Sequence, residues 1–319
     1  MRSLVICLVA ALATSCAKKT HDTWSVSDAF NQKNDIYLTL QHDWDDNNCD
    51  WLLWRSLQDA VRRQTGVVET AEGSPGKWYR TPGKDQRCFV NGKDTGSAST
   101  ISRDMILGLG VYLWQTGDGQ KAGEVIAYVD AHQGNMGEGD PFRIDMRPGL
   151  YSTFYAIKNL AANANFPLPP RVEDPDPEAP AGVQLTAGVL ADLFTQTDYQ
   201  AHLTVLHAFL RGLVYGALTD LEVKTIKSQV DRQPRNAFYQ AVYHRFTDGD
   251  QTTATRLLMD ESFFPADALP TSANYCTDYL WQRDDGTANW TPCPDEAKTH
   301  TGADWLVAAA VVRNGFRQK

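Results

Sequence analysis

"YLWQTGDGQKAGEVIAYV" runs from Tyr112 to Val129 and sets the fold expectation for the whole chain. Upstream of the turn, Thr100 to Thr116 is nearly all apolar; downstream, Gln120 to His132 alternates apolar and polar faces at helical spacing. A helix apolar on every side must be buried, and its partner with one polar face must meet water. "TGDG" between them is turn chemistry. The same order recurs in "VYHRFTDGDQTTATRLLM", Val242 to Met259. Repeated inner–outer helix pairs are the pattern of an α/α barrel or solenoid, with an irregular helical domain as the alternative. The expected class is therefore all-α: an α/α-barrel or toroid of paired inner and outer helices, with few or no strands.

Further segments extend this reading. "NNCDWLLWRSLQDAVRRQTG" (Asn47 to Gly66) places Leu52, Leu53, Leu57 and Val61 on one helical face, with Asn48 able to cap it and Gly66 to end it. Residues 67–99 read as loop, since "EGSPGKWYRTPGKD" is turn-forming throughout. Pro148 opens another helix from a first-turn position that proline favours. A proline- and acid-rich loop at 167–182 separates it from the later helices, and the last helix spans about Ala303 to Val312. The GLG triplet at 108–110 reads as packing within a helix.

The N-terminus carries a different signal. Met1-Arg2 precedes an apolar run, Leu4 to Ala13, that is too short to cross a bilayer. "LATSC" follows, ending at Cys16. It resembles the bacterial lipobox, in which the cysteine is lipidated, although Ala13 stands where leucine is commonest. The expected organisation is a lipoprotein signal peptide at 1–16, a flexible tether at 17–35 and a single helical domain at 36–319. Residues Ala17-Lys18-Lys19 lack an aspartate after the cysteine, which by resemblance to sorting signals implies the outer membrane of a Gram-negative cell. Plain secretion is the alternative. The expected partner is thus a membrane, through the lipid anchor. A net charge of −9 argues against nucleic acid.

Cys49, Cys88, Cys276 and Cys293 remain, an even number suited to an oxidising compartment. They allow three pairings; the local ones, Cys49–Cys88 and Cys276–Cys293, would each stabilise by ~3–4 kcal/mol through loop closure. No CxxC or nearby histidine supports a metal site.

Acidic residues stand at helix starts: Asp50, Asp104 beside Arg103, and Asp304, with Arg147 just before Pro148. In an α/α barrel the inner helices run parallel, so their N-termini share one rim. That rim would collect Asp50, Arg103, Asp104, Arg147, His300 and Asp304, with Trp44, Trp51 and Trp305 nearby. Carboxyls framed by indoles suit sugars, because aromatic faces stack on pyranose rings and paired carboxyls serve as acid and base. The arrangement resembles the α/α-toroid glycan-active proteins, glycoside hydrolases and polysaccharide lyases. The likeness implies Asp104, Asp304 and His300 as catalytic candidates and Asp50, Arg103, Arg147, Trp44, Trp51 and Trp305 as substrate-binding ones. The lyase group also implies a tyrosine, for which Tyr151 is nearest. Against this, an aspartate in a first turn stabilises the helix dipole without any chemistry.

"QHDWDDNNCD" (Gln41 to Asp50) offers Asp43 and Asp45 to a loose calcium site. It is not an EF-hand, since Asn48 stands where glycine is needed and Trp54 where the last glutamate should be. No cofactor is otherwise expected. His202 and His207 lie on an apolar helix and read as core or capping residues. The functional expectation is an exported lipoprotein acting on, or binding, an envelope or extracellular glycan. The alternative is a non-catalytic envelope lipoprotein with a structural or protein-partner role. If every acid is buried against an arginine, the second class is favoured.

Overall fold

The computed structural model describes residues 27–40, 50–84, 87–90, 93–97, 101–137, 145–162, 165, 167–172, 198–270 and 302–317, with backbone alone at 87–90, 93–97, 161–162 and 198–200. Within them the chain is mainly helical. The helices are α1 (Asp28–Leu40), α2 (Trp51–Arg62), α3 (Arg103–Thr116), α4 (Gly119–Ala131) and α5 (Pro148–Ala162). They continue as α6 (Asp198–Tyr215), α7 (Asp220–Arg232), α8 (Ala237–Phe246), α9 (Thr252–Leu258) and α10 (Ala303–Val312). No described helix is long and apolar enough to cross a membrane.

The two hairpins that set the expectation form as read. Gly117 closes α3 in the left-handed region at φ 75°, and Asp118 starts α4 by accepting the Lys121 N–H at 3.0 Å. In the second, the Gly249 N–H reaches the His244 carbonyl at 2.7 Å, and Asp250 accepts from the Thr252 N–H at 3.0 Å. One departure is that α4 leans mainly on α5 rather than folding back along α3.

Burial divides the helices into two layers. Trp51 to Ala60 of α2, Asp104 to Gln115 of α3, Ala201 to Val214 of α6, Ala237 to Val242 of α8 and all of α10 are buried. α1, α4, α5, α7 and α9 each keep a polar face in water. Adjacency among the buried helices closes on itself: α2 packs on α3, α3 on α6, α6 on α8, α8 on α10, and α10 on α2. The outer helices lie against this set, α1 on α10, α5 on α3 and α6, α7 on α6 and α8, α9 on α8 and α10. The GLG triplet does serve packing. A Cβ at Gly108 would lie 2.9 Å from Leu53 Cδ1, and one at Gly110 would lie 2.7 Å from Leu210 Cδ2.

The buried helices also share a direction. Past the end of α10, the Gly315 carbonyl accepts from Arg63 at the end of α2 (3.4 Å) and from Gln115 in the last turn of α3 (3.3 Å). The Arg317 carbonyl accepts the Trp114 indole N–H at 2.9 Å, and Arg245 at the end of α8 donates to Val311 and Phe316 carbonyls at 3.2 and 3.3 Å. The segment Gly315–Arg317 thus clasps the C-terminal ends of α2, α3, α8 and α10. α6 runs alongside α8, with Phe209 against Phe238 and Gly212 against Phe246. The N-termini of these helices therefore lie at the opposite pole.

The loop reading of 67–99 needs correction. A 3-10 turn, Val68–Ala71, packs on α2, and β1 (Arg87–Val90) pairs antiparallel with β2 (Lys93–Ser97). The overlooked signal is Asn91-Gly92, the residue pair that two-residue hairpin turns prefer. α2 also ends earlier than Gly66, because Arg63 itself takes the left-handed conformation at φ 55°.

Candidate functional site

The pole where the buried helices begin is built around their first residues. The α2 start is held by a loop: the Leu52 N–H donates to the Arg80 carbonyl at 2.9 Å. Asp50 stands at its N-cap, partly exposed, and makes no side-chain cap bond. Arg80 is itself buried, and its positive charge acts on Asp104 in the first turn of α3. One loop therefore bears on two helix starts, by its backbone on α2 and by its charge on α3.

Asp104 is 1% exposed. Burial pushes its carboxyl above the usual carboxylate range, while the Ser102 hydroxyl, the Arg80 charge and the backbone N–H groups of Asp104 and Met105 work against that rise. Ser102 occupies the N-cap with its side chain turned to Asp104 rather than to the helix. Arg103 is half-buried next to it. A carboxyl that folding raises destabilises the fold once pH passes its ordinary value. Replacing Asp104→Asn is thus expected to raise the thermal midpoint at pH 7 relative to the parent, with the gap closing toward pH 4. Midpoints measured across that range check it, and a gap that widens on acidification would contradict the burial account.

The α10 start is closed differently. Gly302 precedes it at φ 73°, with the Tyr37 ring so near that a Cβ there would sit 3.3 Å from Tyr37 Cδ1. Asp304, 2% exposed, accepts the Trp305 N–H at 2.8 Å. Trp305 is fully buried; its indole N–H donates to the Leu258 carbonyl at 2.9 Å, and its ring stacks on Tyr37 at 4.6 Å with Phe30 at 5.5 Å. Burial, then the Asp304 charge, drives the Tyr37 phenol upward.

These positions correct part of the expected rim. Trp51 and Trp305 are core residues with no face toward solvent, so neither presents a platform to a sugar in this structure. The reason lies in the neighbours: α1 covers Trp305, and the first turn of α2 carries Trp51 inward. Arg147 sits at the junction of α4 and α5, where Asn135 bridges to Asp145. Tyr151 donates to both carboxylate oxygens of Asp130 at 3.1 Å, an outer-layer contact. Trp44, His300, Asp43, Asp45, Cys16, Cys49, Cys276 and Cys293 lie outside the described residues, as does the side chain of Cys88. Among the described residues no group of three or more His, Cys, Asp or Glu side chains is placed to hold a metal.

A second charged cluster escaped the sequence reading. Glu222 Oε2 meets Arg171 at 2.5 Å and the Thr219 N–H at 2.8 Å, while Oε1 meets Arg211 at 2.9 Å. His207 sits one turn before Arg211, and burial together with the Arg211 and Arg171 charges brings its imidazole down to about 3. It is therefore neutral at physiological pH, which agrees with a core histidine. "TDLE" at Thr219–Glu222 carried the capping-box signal for this glutamate, and both of its reciprocal bonds form. Nothing in the sequence indicated that two arginines would share it.

No family model matches the chain, no curated protein matches it, and no solved structure matches it.

Proposed function

We propose that this chain is a lipid-anchored cell-envelope protein whose helix-start pole binds a glycan or a partner without cleaving it. The observation that carries the non-catalytic reading is the burial of Asp104. A general acid or base must come within hydrogen-bond reach of substrate. A carboxyl closed from solvent is instead a structural group of its helix start. Asp304, bonded to the backbone of its own turn, fits the same role.

Two features support binding at this pole. In the α/α-toroid arrangement we favour, inner helices present their N-termini together, and the direction shared by α2, α3, α8 and α10 agrees with that. The stretch entering the pole before α3, 63–102, is long, whereas the one before α8, 233–236, is short. The connections 117–118 and 247–251 at the opposite end are short. Long connections on a rigid helical frame are where binding residues concentrate. Asp50 and Arg103 at these helix starts are partly exposed. Envelope location and the anchor at Cys16 rest on the lipobox-like start.

The test is a panel of polysaccharides and peptidoglycan, assayed for reducing ends, for unsaturated products and for retention of the protein by pull-down. Retention without product, unchanged in Asp304→Asn, is expected. Product formation abolished by Asp304→Asn would overturn the non-catalytic reading and restore the acid/base pair.

A further inference from the structure

We propose that α1 is a strap that undocks from α10 as a unit and thereby uncovers the Asp304–Trp305 end of the buried layer. The covering is specific. Tyr37 stacks on the Trp305 indole and lies against Gly302, Phe30 covers the same indole, and the Tyr37 hydroxyl donates to the Pro265 carbonyl at 3.1 Å. These two rings occupy the aromatic surface that a sugar would otherwise use. Among the described residues, α1 is held otherwise by Leu38 against the core and by polar contacts of Lys33 and Tyr37 with the segment after α9. Its main helix packing is on α10, with Arg62 reaching the Leu38 carbonyl at 3.3 Å. Its sequence, DAFNQKNDIYLTL, is largely polar: beyond the docking rings it carries Ala29, a partly buried Leu38 and the outward pair Ile36 and Leu40. Segments with few buried apolar contacts open below the global unfolding free energy.

Docking also buries a charge. Lys33 is 3% exposed and donates to the Phe264 carbonyl, with the Tyr37 ring 5.9 Å from its nitrogen and no ion pair among the described residues. Asp260 and Glu261 act on it from the segment after α9, too weakly to offset burial, and its pKa falls to about 8. Asp304 faces Tyr37 from α10, and Arg235 stacks on Phe263 beside the same segment. Docking disfavours the ammonium, so the strap holds weakly at neutral pH and tightens as pH rises through 8 toward the ordinary lysine value, by about tenfold between pH 7 and 9.

Hydrogen exchange of the full-length protein, corrected for intrinsic rates, reads this directly. The expected result is that residues 28–40 exchange by a local opening, well before α2 and α3, with protection rising about tenfold from pH 7 to 9. Lys33→Met should tighten docking and flatten that rise. Tyr37→Ala should free α1 while α2 and α3 stay protected. Exchange of α1 only together with α2 and α3, in the parent and in Lys33→Met, would overturn the strap. The consequence for ligand access rests on the function proposed above and is separable. Undocking in Tyr37→Ala with no gain in glycan retention leaves the strap standing and counts against the glycan reading instead.

Discussion

Glu222→Gln is expected to destabilise the fold by ~3–5 kcal/mol, the loss typical of removing one member of a buried ion pair. Glu222 is 6% exposed and answers two guanidiniums at once, one on the buried helix α6 and one on the segment at 167–172. The glutamine keeps the size and can still accept the Thr219 N–H, so the capping box is not the main loss. What remains is a pair of arginines, Arg211 almost wholly buried, that have lost the Glu222 charge. His207 cannot relieve them, because it is neutral and sits beside the same charges. Urea denaturation gives the number. The double variant Glu222→Gln, Arg211→Met separates the causes: it should recover much of the loss, since a buried pair replaced by neutral groups is often near-neutral. A single-variant loss below ~1 kcal/mol would show that water reaches the cluster and screens it.

Phe316→Ala should destabilise by ~3–5 kcal/mol, the range for deleting a core phenylalanine. Its ring is 3% exposed and meets Phe209 edge-on at 5.1 Å. The larger effect is positional. Phe316 pins the Gly315–Arg317 clasp, whose carbonyls take the Trp114 indole, Gln115 and Arg245. Truncation after Asn314 removes those acceptors together and strands buried donors, so it should exceed the single substitution. Thermal melts of both variants check this. A truncation that melts with the parent would mean that the buried helices hold their common direction without the clasp.

Much of the fold was legible because it is written in periodicity. The apolar stretch from Met105 to Trp114 demands burial whatever its neighbours, and Gly117-Asp118 and Gly249-Asp250 are local turn chemistry. The small sheet was legible too, in Asn91-Gly92, but the surrounding glycines and prolines masked it. The candidate site was less legible. Asp50, Asp104 and Asp304 were correctly placed at helix starts, since first-turn acids follow a local rule. Their exposure is a tertiary property. Arg80 lies in a loop with no periodic signature, so its action on Asp104 had no sequence trace. Trp51 and Trp305 looked like platforms because an indole beside an acid reads alike whether it faces water or core.

By itself, then, the sequence determined the helical class, the inner–outer hairpins and the acids at the helix starts, each set by interactions within a few residues. Only the tertiary structure decided that the clasp aligns the buried helices, that the Arg80 charge reaches Asp104, that α1 closes over Trp305, and that Glu222 is shared by two arginines. Those pairings join groups far apart in the chain: Tyr37 and Trp305 come from α1 and α10, the first and last described helices. Such contacts depend on packing geometry, which local propensity does not encode.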